Sequence, residues 1–122
     1  MKDFFAPDLP EERFDVYVDP KTGTRFGETL SHLLLKDPHT GQFRKELFYV
    51  ASTNLVSFIY DHPTKELRVE FRNSRKQRGG GPIYLYRFVP ERVFLQLSRA
   101  ASKGVYFYHR IRMKFPYSRI RG

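Results

Sequence analysis

Leu55-Val-Ser-Phe-Ile-Tyr-Asp61, His62-Pro-Thr-Lys65 and Glu66-Leu-Arg-Val-Glu-Phe71 read in succession as a strand, a turn and a second strand. Leu67, Val69 and Phe71 alternate with Arg68, Glu70 and Arg72, and period two marks a strand with one buried face. The turn opens on Asp61 with Pro63 behind it. Two tighter versions stand upstream, Asp19-Pro20-Lys21-Thr22-Gly23 and Asp37-Pro38-His39-Thr40-Gly41. In each, Asp accepts hydrogen bonds from the following backbone, Pro presets φ, and Gly takes the left-handed conformation that closes a hairpin. Phe14 to Val18 leads into the first turn, Leu33 to Lys36 into the second, and Phe43 to Val50 follows it. Leu30 to Leu35 fits a buried strand or one helical turn, and its place before a hairpin favours the strand. The spacing of the turns predicts an antiparallel meander.

Beyond Phe71, residues 72–82 hold Arg72, Arg75, Lys76, Arg78 and three successive glycines with no apolar anchor, which predicts a basic loop. Ile83 to Val89 then reads as a strand with Tyr84, Tyr86 and Phe88 on one face and Ile83, Leu85 and Val89 on the other. Two apolar faces place a strand inside a sheet, with a neighbour on each side. Pro90 suits a first helical position and Glu91 a first turn, so a helix is expected from Pro90 to about Ser102. Phe94, Leu97 and Ala101 would dock on the sheet, Arg92, Gln96, Arg99 and Lys103 would form an outer ridge, and Gly104 would cap the end. Val105 to Lys114 matches both templates: a strand would align Tyr106, Tyr108, Arg110, Arg112 and Lys114, a helix would pair Tyr108 with Arg112. Residues 1–13 read as an extended arm.

The chain's 122 residues are one domain's worth, and 40% apolar residues, with twelve Phe and eight Tyr, fill a small core. The absence of Cys excludes disulfides, thiol catalysis and thiolate metal sites. No apolar run approaches membrane-spanning length, so no membrane role and a soluble cytoplasmic protein are expected. Charge is the informative part. Fifteen of the twenty-two Lys and Arg residues follow Asp61 against three acids (Glu66, Glu70, Glu91), a formal +12, whereas residues 1–61 hold seven cations and ten acids, −3. Aromatic residues, among them Tyr84, Tyr86, Tyr108 and Tyr117, run through the basic half, and cations beside flat rings suit a polyanion with exposed bases.

The order and spacing of Leu55 to Asp61, Leu67 to Phe71, Tyr84-Leu-Tyr86, Val89-Pro90, Ser102-Lys103-Gly104, Tyr106-Phe107, Ile111-Arg112 and Phe115-Pro116-Tyr117 resemble the KTSC domain, over residues 52 to 118. This module takes its name from the C-terminus of some lysyl-tRNA synthetases and also occurs as small bacterial and phage proteins. The resemblance implies an α+β fold: an antiparallel β-meander with one helix packed on a three-stranded sheet, and a short C-terminal helix after Ser102-Lys103-Gly104, which tips Val105 to Arg112 towards helix. Residues 1–51, an arm and β-hairpin extension, have no counterpart in it. The family has no established catalytic residues, and its synthetase context encourages a reading as an RNA-binding module.

The expected function is therefore a non-catalytic nucleic-acid, specifically RNA, binding module without a cofactor. Its candidate contacts are Arg75, Lys76, Arg78, Arg99, Lys103, Arg110 and Arg112 for phosphates and Tyr84, Tyr86 and Tyr108 for stacking. The bland alternatives are core packing for the tyrosines and solvated faces for the cations. Four scattered His without Cys argue against a metal. Glu66 and Glu70 share a strand face with Arg68 and Arg72, which suits a charge ladder better than an acid/base pair. The competing reading is a protein-interaction module, a phage or bacterial regulator or assembly subunit that binds an acidic surface. Exposed edge strands and halves of opposite charge, able to pair head to tail, motivate it.

Overall fold

A computed structural model describes residues 16–18, 25–73 and 81–121. The expected arm over residues 1–13, the first turn at 19–23 and the basic residues Arg75, Lys76 and Arg78 lie outside them. β1 (Val16–Val18) and β2 (Arg25–Gly27) pair as an antiparallel ribbon. The remaining strands form one antiparallel sheet in sequence order: β3 (Thr29–Lys36), β4 (Phe43–Val50), β5 (Leu55–Asp61), β6 (Glu66–Phe71), β7 (Ile83–Tyr86) and β8 (Tyr117–Arg121). Between β7 and β8 run α1 (Glu91–Arg99) and α2 (Lys103–Arg110).

The turns close as their residues dictate. Asp37 Oδ1 accepts from the His39 and Thr40 amides at 2.7 and 3.4 Å, and Gly41 adopts φ 71°. In the β5–β6 turn the left-handed position falls on Lys65, at φ 62°, whose amide donates to the Asp61 carbonyl at 2.8 Å.

Residues opposite one another in the ladder share a face. The rows Phe48, Phe58, Val69, Tyr84 and Glu46, Tyr60, Leu67, Tyr86 face the helices. Phe58, Tyr60, Leu67 and Val69 are fully buried there against Phe94 and Leu97 of α1 and Phe107 of α2. Tyr60 stacks on Phe94 with ring centroids 4.4 Å apart. Each such side chain contributes on the order of 1.5–3 kcal/mol by leaving water. The row Leu33, Leu47, Ile59, Arg68, Leu85 lies on the opposite face.

The antiparallel α+β architecture is as expected, but the sheet has six strands where three were expected. β4 pairs along β5 from Lys45 opposite Asp61 to Tyr49 opposite Ser57, so the N-terminal hairpin continues the sheet. At the other end β8 takes the free edge of β7, which supplies the second neighbour that two apolar faces require. β7 itself stops at Tyr86. Phe88, expected on the tyrosine face, sits at φ 60° and is 71% exposed, because the chain turns there to bring Val89 under the sheet.

The long helix is two helices. α1 ends at Arg99, where Ala100 is extended, and the Ser102 hydroxyl accepts from the Val105 amide at 3.3 Å, an N-cap that opens α2. Gly104 therefore lies in the first turn of α2 and caps nothing. Lys103 leaves the α1 ridge for the interior, and α2 realises the helical template for residues 105–110. Nor does Arg72 join a charge ladder: its guanidinium donates to the Ser52 and Val50 carbonyls at 2.6 and 3.3 Å.

Candidate nucleic-acid interface

Pairing of β7 with β8 sets Tyr86 opposite Tyr117 and Tyr84 opposite Arg119. The Tyr117 ring stacks on both tyrosines, with centroids 5.6 Å from Tyr84 and 5.3 Å from Tyr86 and planes within 12° of parallel. The Arg119 guanidinium lies over the Tyr84 ring at 5.7 Å. A second cation–ring pair is next to it, Arg112 over Tyr108 at 5.1 Å. Arg112 is also close enough to Tyr86 to act on its titration, although burial dominates there and holds that phenol above its ordinary range. Arg87 steadies β8, donating to the Ser118 hydroxyl at 3.2 Å.

The candidate residues divide. Tyr86 is 2% exposed and packs edge-on against Phe107, so it is a core residue with no surface for a base. Tyr84 is half-buried, one edge against Phe71. Tyr117, 46% exposed, carries the accessible ring of the trio. Tyr108 is half-buried under Arg112, and Arg112 is exposed. Lys103 is 0% exposed: its Nζ donates to the Ala100 carbonyl at 2.9 Å, its charge acts on Glu28, and its amide donates to Glu28 Oε1 at 2.9 Å. It cannot reach a phosphate. The physical reason is the break at Ala100, which turns the ridge position expected for Lys103 towards the interior.

Arg99 and Arg110 do come together. They line a groove of about 430 Å³ between α1 and α2, floored by Ala100 and by Tyr106, whose hydroxyl donates to Gln96 Oε1 at 2.6 Å. At about 100° per residue, Tyr106 and Tyr108 leave α2 on opposite flanks. The groove and the Tyr117 ladder are thus two basic surfaces separated by α2.

Of the described acids of the leading half, Asp37, Glu46 and Asp61 are engaged away from these arginines. Arg44 binds Asp61 and Asp37 at 3.1 and 3.4 Å, and Glu46 bridges His32 and His62 at 2.7 and 2.8 Å. The other His62 nitrogen meets Glu91. Among the described residues no carboxylate forms an ion pair with Arg99, Arg110, Arg112 or Arg119, and all four are exposed. Sequence reasoning missed Arg119 and the role of Tyr117. The signal was a five-residue alternation, Tyr117-Ser-Arg119-Ile-Arg121, behind Pro116. Among the described residues no group of three or more His, Asp or Glu side chains is placed to hold a metal ion. None of their helices is long and apolar enough to cross a membrane.

The sequence pattern of the KTSC domain matches residues 51–115, more than half of the chain. No curated protein matches. Among solved structures, the crystal structure of a KTSC domain protein from Yersinia pestis is similar at a TM-score of 0.53 and 32% identity, over 62% of this chain and 97% of that one. The matched segment carries β5, β6, β7, α1 and α2, the aromatic core and the Tyr84-Leu-Tyr86 strand, and the chain belongs to the KTSC domain family.

Proposed function

We propose that this protein is a non-catalytic nucleic-acid-binding module that takes single-stranded RNA along its β7–β8 edge. The observation that carries the reading is the accessible Tyr117 ring, stacked on Tyr84 and Tyr86 and flanked by Arg119 and Arg112. A base laid on Tyr117 would gain stacking of roughly 1–3 kcal/mol, while the neighbouring guanidinium groups offer forked donors to phosphates. Arg99 and Arg110 offer a second backbone contact across α2. Binding of this type is weakly sequence-specific and falls steeply with salt.

Fluorescence anisotropy with single-stranded RNA, single-stranded DNA and duplex DNA at two salt concentrations tests it. Binding to single strands that weakens with salt is expected, and no binding at low salt ends the proposal. The second reading, an acidic protein surface as ligand, draws on the same exposed arginines and on the hairpin that the family match leaves out. Affinity capture with and without nuclease separates the two, since an RNA-bridged partner is lost on digestion and a direct one is retained.

A further inference from the structure

The six-stranded sheet ends in two edges of opposite character. β8 carries the exposed Arg119, a charge of the kind that keeps an edge from pairing with another sheet. β3, Thr-Leu-Ser-His-Leu-Leu-Leu-Lys, has no such guard until Lys36. Its four leucines are exposed on both faces, Leu30 by 68%, Leu33 by 46%, Leu34 by 62% and Leu35 by 37%. Among the described residues no strand pairs with its outer side, and the β1–β2 ribbon lies towards α1. In the matched family segment β5 is the first strand, so the N-terminal addition moves this edge outward by two strands and makes it apolar.

Charge selects the occupant. The chain as a whole is +9 and repels its own copies, most strongly at the half after Asp61. Residues 28–50, which carry β3, its turn and β4, hold three cations (Lys36, Arg44, Lys45) and three acids (Glu28, Asp37, Glu46). That is the end at which two copies can approach without repulsion. An acidic partner would be drawn to the other end. Head-to-tail pairing through β8 would bring Arg119 of that strand against leucines.

We propose that β3 is a homodimer interface, joining two copies antiparallel about a twofold axis at Leu34 into a continuous sheet of twelve strands. Centred there, Leu34 faces its own symmetry mate and Leu33 faces Leu35 of the second copy, leucine on leucine across both faces. The basic edges then point outward at the two ends. The interface is isologous, the commonest form of self-association, and adds a ladder on the side of β3 away from β4.

Sedimentation velocity on the full chain across the micromolar range should show a mass rising from 14.5 kDa to twice that value. Leu34→Lys should abolish the rise with an unchanged circular dichroism spectrum, since that side chain is 62% exposed in the monomer. The chain has no cysteine, so Leu34→Cys places one thiol per copy at the axis. An antiparallel pair spaces Cα atoms about 4.5–5.5 Å apart, within disulfide reach. Mild oxidation should link Leu34→Cys chains to dimers, and Ile120→Cys at the far edge should stay monomeric. A wild-type chain that is monomeric throughout, with β3 amides slow to exchange, would show that its own residues cover the strand and would overturn the proposal. So would a dimer that survives Leu34→Lys or fails to link through Leu34→Cys.

Discussion

The Tyr60 hydroxyl donates a 2.6 Å hydrogen bond to the carbonyl of Val89, joining the middle of the sheet to the residue before Pro90. The Val89 amide in turn donates to the Lys65 carbonyl at 3.0 Å, so both backbone groups at the strand-to-helix corner are held by the β5–β6 hairpin. Tyr60→Phe keeps the ring stacked on Phe94 and removes the donor, leaving a buried carbonyl without it. A loss of about 1–2 kcal/mol is expected, measured by urea denaturation at neutral pH.

The same phenol sets an alkaline limit. Burial, reinforced by the negative charges of Glu91 and Asp61, pushes its pKa up to about 12, against about 10 in an unfolded chain. A raised folded-state value means that the stabilisation is complete below pH 10 and is lost as pH climbs towards 12. Thermal melts across that window should show a decline that is smaller in Tyr60→Phe.

Lys103 is structural. Its stem is fully buried and its ammonium sits by the Ala100 carbonyl, so Lys103→Ala opens a cavity and should cost about 2–4 kcal/mol. RNA affinity measured on the folded fraction should not change. A proportionate loss of affinity in the fully folded protein would return Lys103 to the binding surface.

Tyr117 and Tyr86 should separate binding from stability. Tyr117→Ala removes the accessible ring and is expected to weaken single-strand binding by roughly 1–3 kcal/mol with little change in melting temperature. Tyr86→Phe alters a buried residue and should leave affinity as it was. Anisotropy and differential scanning calorimetry on both variants check the pair.

Backbone strain gives opposite signs at two positions. Lys65 holds φ 62°, and Lys65→Gly should relieve about 0.5–1 kcal/mol while keeping the carbonyl that Val89 needs. Gly81 lies so close to β6 that an added Cβ would fall 2.5 Å from the Phe71 carbonyl oxygen and 2.7 Å from the Arg72 carbonyl. Backbone cannot yield as a side chain does, so Gly81→Ala should destabilise by about 1–3 kcal/mol. Denaturant midpoints report both.

Much of the fold was legible because its signals are local. Alternation over residues 66–71, the Asp-Pro-His-Thr-Gly turn and the Pro90-Glu91 helix start each act within a few residues of themselves; the first two appear where the pattern places them, and the helix opens one residue later, with Pro90 as its N-cap and Glu91 in its first turn. What was misread depends on distant partners. Ser102 fits a helix interior by spacing and an N-cap by chemistry, and the choice is made by where Lys103 meets Glu28, 75 positions earlier in the chain. Tyr86 and Tyr117 have the same side chain, and one is core and the other surface because β7 lies between two strands and β8 beside one.

The sequence by itself determined the strand periods, the turn chemistry, the family and the segregation of charge, since these follow from residue type and spacing. Only the tertiary structure decided how many strands share the sheet, which cations remain exposed, and that the basic residues flank α2 on two sides. Those outcomes depend on which edges and faces find partners across the chain, and one-dimensional spacing does not encode that.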